Sequence, residues 1–222
     1  MSIEKIGNQV HLWNKQHKER EAEHTKLENT PNIFALTALG FVPENGKVLE
    51  IGAGNGRDAR YFIKNRNCTV IATDFSENAI RMMKAAALKD GTEKNLVPTL
   101  VDTRNIQDLD KESLDLFYAR SSLHLSDSEL YTLFEKVMPA LKSGAYVLIE
   151  GKTSKDLKIS RSMAIDKNLL EDIDGHLRRS WSSDFIQDFC LKTGLELIKV
   201  SETTEFCDKK ECHFISFVAR KK

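Results

Sequence analysis

No stretch of the 222 residues approaches the roughly 18–20 consecutive apolar residues that a bilayer span requires, so no membrane helix is expected. Excess charge of one sign is missing too. Lys+Arg and Asp+Glu both number 33, and the formal net charge is zero. Nucleic acid backbones are usually gripped by a net basic surface, which makes nucleic acid the weaker expectation for a partner. There is no G-x-x-x-x-G-K-[ST], which removes a P-loop, and no C-x-x-C. The four cysteines (Cys68, Cys190, Cys207 and Cys212) are scattered, as in a reducing compartment. Cys207 and Cys212-His213 flank a predicted hairpin, and no metal site is expected there. MSIEKIGNQVHLWNKQHKER has no apolar core before a small-residue cleavage site, so no secretory signal is expected and the cytoplasm is the default location. Repeats and low-complexity segments are also lacking. The length suits one well-cored domain better than two.

What is present is alternation. The segment from Ile3 to about Leu27 is polar and reads as a solvated helix or arm with an apolar patch near Trp13. Thr30 as N-cap and Pro31 in the first turn predict a helix that stops at Gly40. Strands are predicted at Lys47–Ile51, Cys68–Ala72, Val97–Val101, Leu114–Ala119 and Ala145–Glu150. Helices are predicted at Arg57–Asn65 and Glu77–Lys89, and from Ser126, with Glu129 at capping-box spacing, to Leu141. Such alternation predicts a parallel sheet with helices on both faces. Residues 151–180 read as a polar, strand-poor connection. A helix at Trp181–Thr193 ends at Gly194, and Leu195–Glu202 and Cys212–Ala219 suggest an antiparallel pair around a charged turn, Asp208–Glu211.

The first strand ends in Gly52-Ala53-Gly54-Asn55-Gly56. Glycine there permits φ > 0 and lets a ligand approach bare backbone. The spacing is G-x-G-x-G, not the G-x-G-x-x-G of dinucleotide folds, and a bare structural turn is the alternative. Asp74 ends the second strand about 20 residues on, where an acid can accept both ribose hydroxyls. Asp102 follows the third strand in the same register. Three consecutive strand ends thus suggest a nucleoside site.

From Gly46 to Glu150 the chain resembles the class I S-adenosylmethionine-dependent methyltransferases, through VLEIGAGNGRD, TDFSENAI, VDTRN, DLFYARSSLHL and LKSGAYVLIE in that order. GNGRDARYF looks most like the small-molecule branch that includes thiopurine and tellurite-resistance methyltransferases. The resemblance implies a Rossmann-like methyltransferase fold: a seven-stranded, mostly parallel sheet with an antiparallel last strand. It implies one domain over 1–222, with an N-terminal helical arm or lid (1–28), a cofactor-binding core (46–150), a substrate-side insertion (151–180) and a C-terminal helix and strand pair (181–222). It also implies S-adenosylmethionine as cofactor. Gly52, Ala53 and Gly54 would meet its methionine and ribose, and Glu50 would hold the turn or, through water, the amino group, a mere brace being the alternative. Asp74 would bind the ribose hydroxyls, Phe75 would pack on adenine, and Asp102 beside Thr103 would accept from the adenine amino group. Ala119 and Arg120 would line the methionine, and Trp13 would cover the cofactor.

Methyl transfer from a sulfonium is an in-line displacement in which the cofactor carries the reactivity. A base is needed only for an acceptor that must lose a proton. His124, shortly after the fourth strand, is the candidate base, and a slight preference for O-methylation rests on it. A partly buried packing histidine is the equal alternative. Glu150 would orient a donor on the substrate or serve as a structural acid. Of the cations in 151–180, Arg178 and Arg179 are singled out as substrate-binding, which would suit an anionic acceptor such as a carboxylate or phosphate. The reading is a small-molecule methyltransferase, monomer or homodimer. The alternatives are a protein or nucleic-acid methyltransferase, or a non-catalytic S-adenosylmethionine-binding module.

Overall fold

The structure, a computed structural model, describes residues 3–23, 30–107, 109–207 and 210–222. Part of the predicted arm (24–28) and of the predicted charged turn (Asp208 and Lys209) lies outside them. The backbone divides into two compact units. One holds the chain to Ile106 together with Leu114–Tyr118, and the other holds Gln107–Ser113 and Ala119–Lys222.

The first unit begins with α1 (Ile3–Glu23) and α2 (Ile33–Ala38), and a 3-10 turn at Leu39–Phe41 follows. Asn32, not Thr30, is the N-cap of α2: its side chain accepts from the Ala35 N–H at 2.9 Å. Asn32 is better placed because its backbone N–H also donates to Asp58 Oδ1 at 3.1 Å, which ties the helix start to α3 (Arg57–Arg66). Tyr118 donates to Asp58 Oδ2 at 3.2 Å and packs between Phe34 and Phe62 at 5.4 and 5.1 Å. Asp58 is the polar knot of an otherwise apolar core.

Strands β1 (Lys47–Ile51), β2 (Thr69–Asp74) and β3 (Leu96–Leu100) pair in parallel, with Glu50 opposite Ala72 and Thr73 opposite Thr99. Burial of four consecutive residues in β1 is what a sheet covered on both faces demands. Between β2 and β3 lies α4 (Glu77–Asp90), capped by Ser76 and ended by Gly91 in the left-handed region. β4 (Leu114–Arg120) completes this unit with its first five residues.

In the second unit, Ser126 and Glu129 form the predicted capping box at the start of α5 (Asp127–Ala140). β5 (Leu141–Lys152) follows at once. The segment read as strand-poor contains α6 (Leu157–Ser160) and a small antiparallel sheet of three short strands, β6 (Met163–Ala164), β7 (Leu169–Glu171) and β8 (Leu177–Arg179). Strands of two or three residues carry no readable period. Their hairpin closes through local bonds at Asp172 and Gly175, the latter at φ 83°. After α7 (Ser183–Thr193), β9 (Leu195–Cys207) and β10 (Lys210–Lys221) form the long antiparallel pair, and β10 runs antiparallel to β5. The seven-stranded sheet has the order β3-β2-β1-β4-β5-β10-β9 and is mostly parallel.

Candidate functional site

In the first unit the turn after β1 is held by hydrogen bonds to the end of β2. Ala53 N–H donates to the Thr73 carbonyl at 2.8 Å, and Thr73 Oγ1 donates to the Glu50 carbonyl at 3.1 Å. Gly52 and Gly54 lie at φ 64° and 58°, where an L-residue is disfavoured by about 1–2 kcal/mol. Gly56 has another task. A Cβ there would stand 2.6 Å from Met83 Cγ, so the third glycine lets α3 start against α4.

Asp74 is buried and divides its carboxylate between two backbone donors: Gly54 N–H to Oδ2 and Ser76 N–H to Oδ1, both at 2.9 Å. Val101 N–H donates to the Asp74 carbonyl at 3.0 Å, which brings the end of β3 to the same corner. Phe75 is half-buried beside it. Asp102 caps the short 3-10 turn that Thr103 begins, and both of its oxygens are held by Arg104. Those contacts fill the lone-pair directions of the carboxylate.

Glu50 is 4 % exposed, and no described group hydrogen-bonds its Oε2. Burial first, then repulsion from Asp58, raises its pKa well above the ordinary carboxylate value, against the opposing pull of Arg57. A buried acid with an unsatisfied oxygen beneath a bare glycine turn is unfavourable alone and suits a cationic group.

Sequence reasoning missed how α1 attaches. Asn14 Oδ1 accepts from Ser76 Oγ at 2.6 Å, and the Asn14 carbonyl accepts from Asn78 Nδ2 at 3.1 Å. This seats half-buried Trp13 and buried His17 on the same corner, with the His17 Cε1 atom 3.5 Å from where a Gly54 Cβ would be. Nothing in a solvated helix distinguishes one asparagine as an anchor.

The second unit holds Ala119, Arg120, His124, Glu150, Arg178 and Arg179. Arg120 donates to Glu150 at 2.7 Å and to Glu205 at 2.9 Å, and lies 4.9 Å from the Phe214 ring centroid. Arg178 pairs with Asp172 at 2.9 Å, and Lys152 with Asp156. Burial opposes ionisation of Asp172, but Arg178 outweighs it and holds the carboxyl below the usual range. Arg179 has a fully buried side chain. It donates to the Leu125 carbonyl at 2.8 Å and to Asp127 at 2.7 Å, and its guanidinium carbon lies 4.8 and 4.3 Å from the rings of Trp181 and Phe185. The two arginines singled out for an anionic acceptor thus each have a carboxylate partner already.

His124 Nδ1 lies 3.3 Å from the Arg179 backbone nitrogen, and the Ser121 backbone is a second hydrogen-bond partner of the ring. Burial, followed by the charges of Arg178 and His176, pushes its pKa well below the ordinary imidazole value. Ser121, Ser122, His124, Lys152, Arg178 and Trp181 are among the residues around a cavity of about 20 Å³. Trp181 packs on the bare backbone of Gly151, where a Cβ would fall 2.3 Å from the indole. Ser121, unremarked in the sequence, sits at φ 51°.

Residues 48–144 match the family model described as a methyltransferase domain. No curated protein matches the chain. Among solved structures, a 1,6-didemethyltoxoflavin-N1-methyltransferase from Burkholderia thailandensis, with 1,6-didemethyltoxoflavin and S-adenosylhomocysteine bound, is 15 % identical. The match covers 100 % of this chain and 92 % of that one, with a TM-score of 0.70. A SAM-dependent methyltransferase from Methanosarcina mazei is 15 % identical over 82 % of this chain and 95 % of that one, with a TM-score of 0.67. The [4+2]-cyclase SpnF is 12 % identical over 85 % and 80 %, also at 0.67. These likenesses are of fold: the chain has the Rossmann-like methyltransferase fold.

Proposed function

We propose that this chain is an enzyme that transfers a methyl group from S-adenosylmethionine to a small-molecule acceptor. The observation that carries the reading is Glu50, a buried carboxylate with one unpartnered oxygen at the foot of a left-handed glycine turn. It is the complement that the ammonium of a methionyl group requires. The matched methyltransferase domain supports the same cofactor. GNGRDARYF supports the small-molecule branch, and the 1,6-didemethyltoxoflavin bound in the N1-methyltransferase structure supports it by analogy of fold. The balanced charge fits an enzyme that does not grip nucleic acid.

In this reading Glu50 holds the ammonium, and the backbone of Gly52, Ala53 and Gly54 admits the methionine and ribose. Asp74 takes the ribose hydroxyls while keeping the turn closed. Phe75 packs on adenine, Thr103 contributes backbone beside it, and Asp102 accepts from the adenine amino group when Arg104 yields. Trp13 covers the group from α1. Ala119 and Arg120 line the methionine side, with Arg120 oriented by Glu150. Bound there, the cofactor supplies an electrophilic methyl carbon on a sulfonium. The protein's share is alignment and exclusion of water, worth up to roughly 7–11 kcal/mol in favourable cases, so no base is obligatory. His124 is assigned a positioning part, because its ring is held by the backbone of Arg179 and of Ser121. The preference for an oxygen acceptor, which rested on a base, carries no further weight.

Calorimetric titration with S-adenosylmethionine and S-adenosylhomocysteine tests the cofactor. Binding of neither sinks the reading. A labelled-methyl screen over phenols, amines, thiols and carboxylates tests transfer. Binding without transfer would make the chain a cofactor-binding module.

A further inference from the structure

Cys207 ends β9, and Cys212 lies near the start of β10. In the strand register Cys207 stands opposite Lys210, and Cys212 opposite Glu205. Side chains alternate between the faces of a strand, so the two cysteines share one face as diagonal neighbours, whose side chains can reach each other. Cys207 is half-buried and Cys212 is buried, and the thiols are close enough to share a hydrogen bond. Sulfurs so placed need side-chain rotation, not a new register, to come to bonding distance.

Glu205 and Phe214 lie on the same face. Glu205 accepts from Arg120 at 2.9 Å, and Arg120 and Lys152 lie 4.9 and 4.6 Å from the Phe214 ring centroid. Both cations pull the Cys207 thiol toward ionisation. Burial, followed by Cys212, outweighs them and pushes it up to about 12. Cys207 is therefore protonated near neutral pH. A pair whose reduced form is stabilised as a thiolate is a strong oxidant; without that stabilisation the balance shifts toward the closed bridge. The other cysteines, Cys68 and Cys190, are buried, and burial above all lifts each to about 11.

We propose that Cys207 and Cys212 form a modification site, a dithiol that a low-molecular-weight disulfide converts to an intramolecular bridge across the end of the β9–β10 hairpin. Half-buried Cys207, as its thiolate, attacks one sulfur of the reagent and expels the other. Cys212 then loses its proton, attacks Cys207 Sγ in the mixed disulfide and expels the second. One S–S bond breaks and one forms, and two protons pass to the two released thiols. The protein dithiol is oxidised and the reagent reduced. The bridge pins β10 to β9 beside Glu205, the residue that holds Arg120. Closing it involves neither cofactor nor methyl transfer.

The test incubates the full chain with reduced and oxidised glutathione at about 1 mM each, then unfolds it and alkylates the free thiols. Trypsin cuts after Lys209 and Lys210, so the bridge is read as a linked pair of peptides, one with Cys207 and one with Cys212. Closed chain is expected to exceed open chain by about tenfold. That ratio is expected to fall by about tenfold in urea, where the hairpin no longer holds the sulfurs together. Cys207→Ser and Cys212→Ser should each abolish the linked pair. In Cys212→Ser, Cys207 should instead retain one glutathione as a mixed disulfide. If Cys212→Ser does not fold, Cys207→Ser carries the comparison. Alkylation of all four thiols, a link to Cys68 or Cys190, a link between two chains, or a ratio unchanged in urea would each overturn the proposal.

Discussion

Asp74 and Gly54 are joined by a 2.9 Å hydrogen bond from the Gly54 N–H to Oδ2, and the other oxygen of the same carboxylate caps the loop into α4 at Ser76. One buried acid therefore sets both the shape of the glycine turn and the seat of the following helix. Asp74→Ala removes two charge-assisted bonds, and a stability loss of about 2–4 kcal/mol is expected from urea unfolding. Asp74→Asn keeps one acceptor and should lose roughly half of that. In both variants S-adenosylhomocysteine affinity should fall by at least about tenfold, because ribose recognition and turn geometry fail together. Affinity unchanged in a folded Asn variant would remove Asp74 from the cofactor site.

Glu50 predicts a pH signature. Burial, then Asp58, lifts its pKa well above the ordinary value of 4.5, so the native state holds a proton that the unfolded chain has released. The sign follows: the stability associated with Glu50 is greatest below the ordinary carboxylate value. It falls as pH rises through the window up to the raised pKa. Binding of an ammonium needs the ionised form, so cofactor affinity should rise with pH across that same window. Glu50→Gln should flatten both trends, read as melting temperature and S-adenosylhomocysteine Kd against pH. A Gln variant that keeps the pH slope of the wild type would assign the effect elsewhere.

Arg179 is predicted to be structural first. Its side chain is fully buried between aromatic rings and bonded to Asp127, whose own side chain is 28 % exposed. Arg179→Ala removes the packing and leaves the Leu125 carbonyl unsatisfied, a loss of about 3–5 kcal/mol, discounted slightly because water reaches Asp127. Arg179→Lys cannot serve both acceptors with a point charge and should recover only part of it. Thermal melts of the two variants give the order. A near-native Ala variant would return Arg179 to the list of residues available to substrate.

What the sequence could and could not reveal follows from the range of each interaction. β1 to β5 and the Ser126 capping box were legible because hydrophobic runs and caps are local patterns. The Gly52–Asp74–Asp102 corner was legible because strand ends recur at readable spacing. Asp127 lies 52 residues from Arg179, and no local pattern announces such a partner, so Arg179 looked available when it is not. Asp172 is only six residues from Arg178, yet the pairing depends on a hairpin of three-residue strands with no periodicity to betray it. Ser121 could not be read either. Its left-handed backbone is imposed by the exit from β4, and serine carries no propensity that signals it.

His124 separates a positioning role from a base by its response to acid. Burial first, then Arg178 and His176, lowers its pKa, and burial followed by Arg178 lowers that of His176 as well. In the native state both rings stay neutral at pH values where the unfolded chain takes up protons. Stability is therefore full above the ordinary value of 6.5 and declines as pH falls from there toward the lowered native pKa values. His124→Asn supplies an oxygen that can accept from the Arg179 N–H but cannot titrate, so it should blunt the acid loss in urea unfolding at pH 5 against pH 7.5. In methyl transfer the same variant should cost less than about tenfold and leave the shape of the pH–rate profile unchanged. A loss of about 10²–10⁴ with disappearance of an acid limb would instead make His124 the general base.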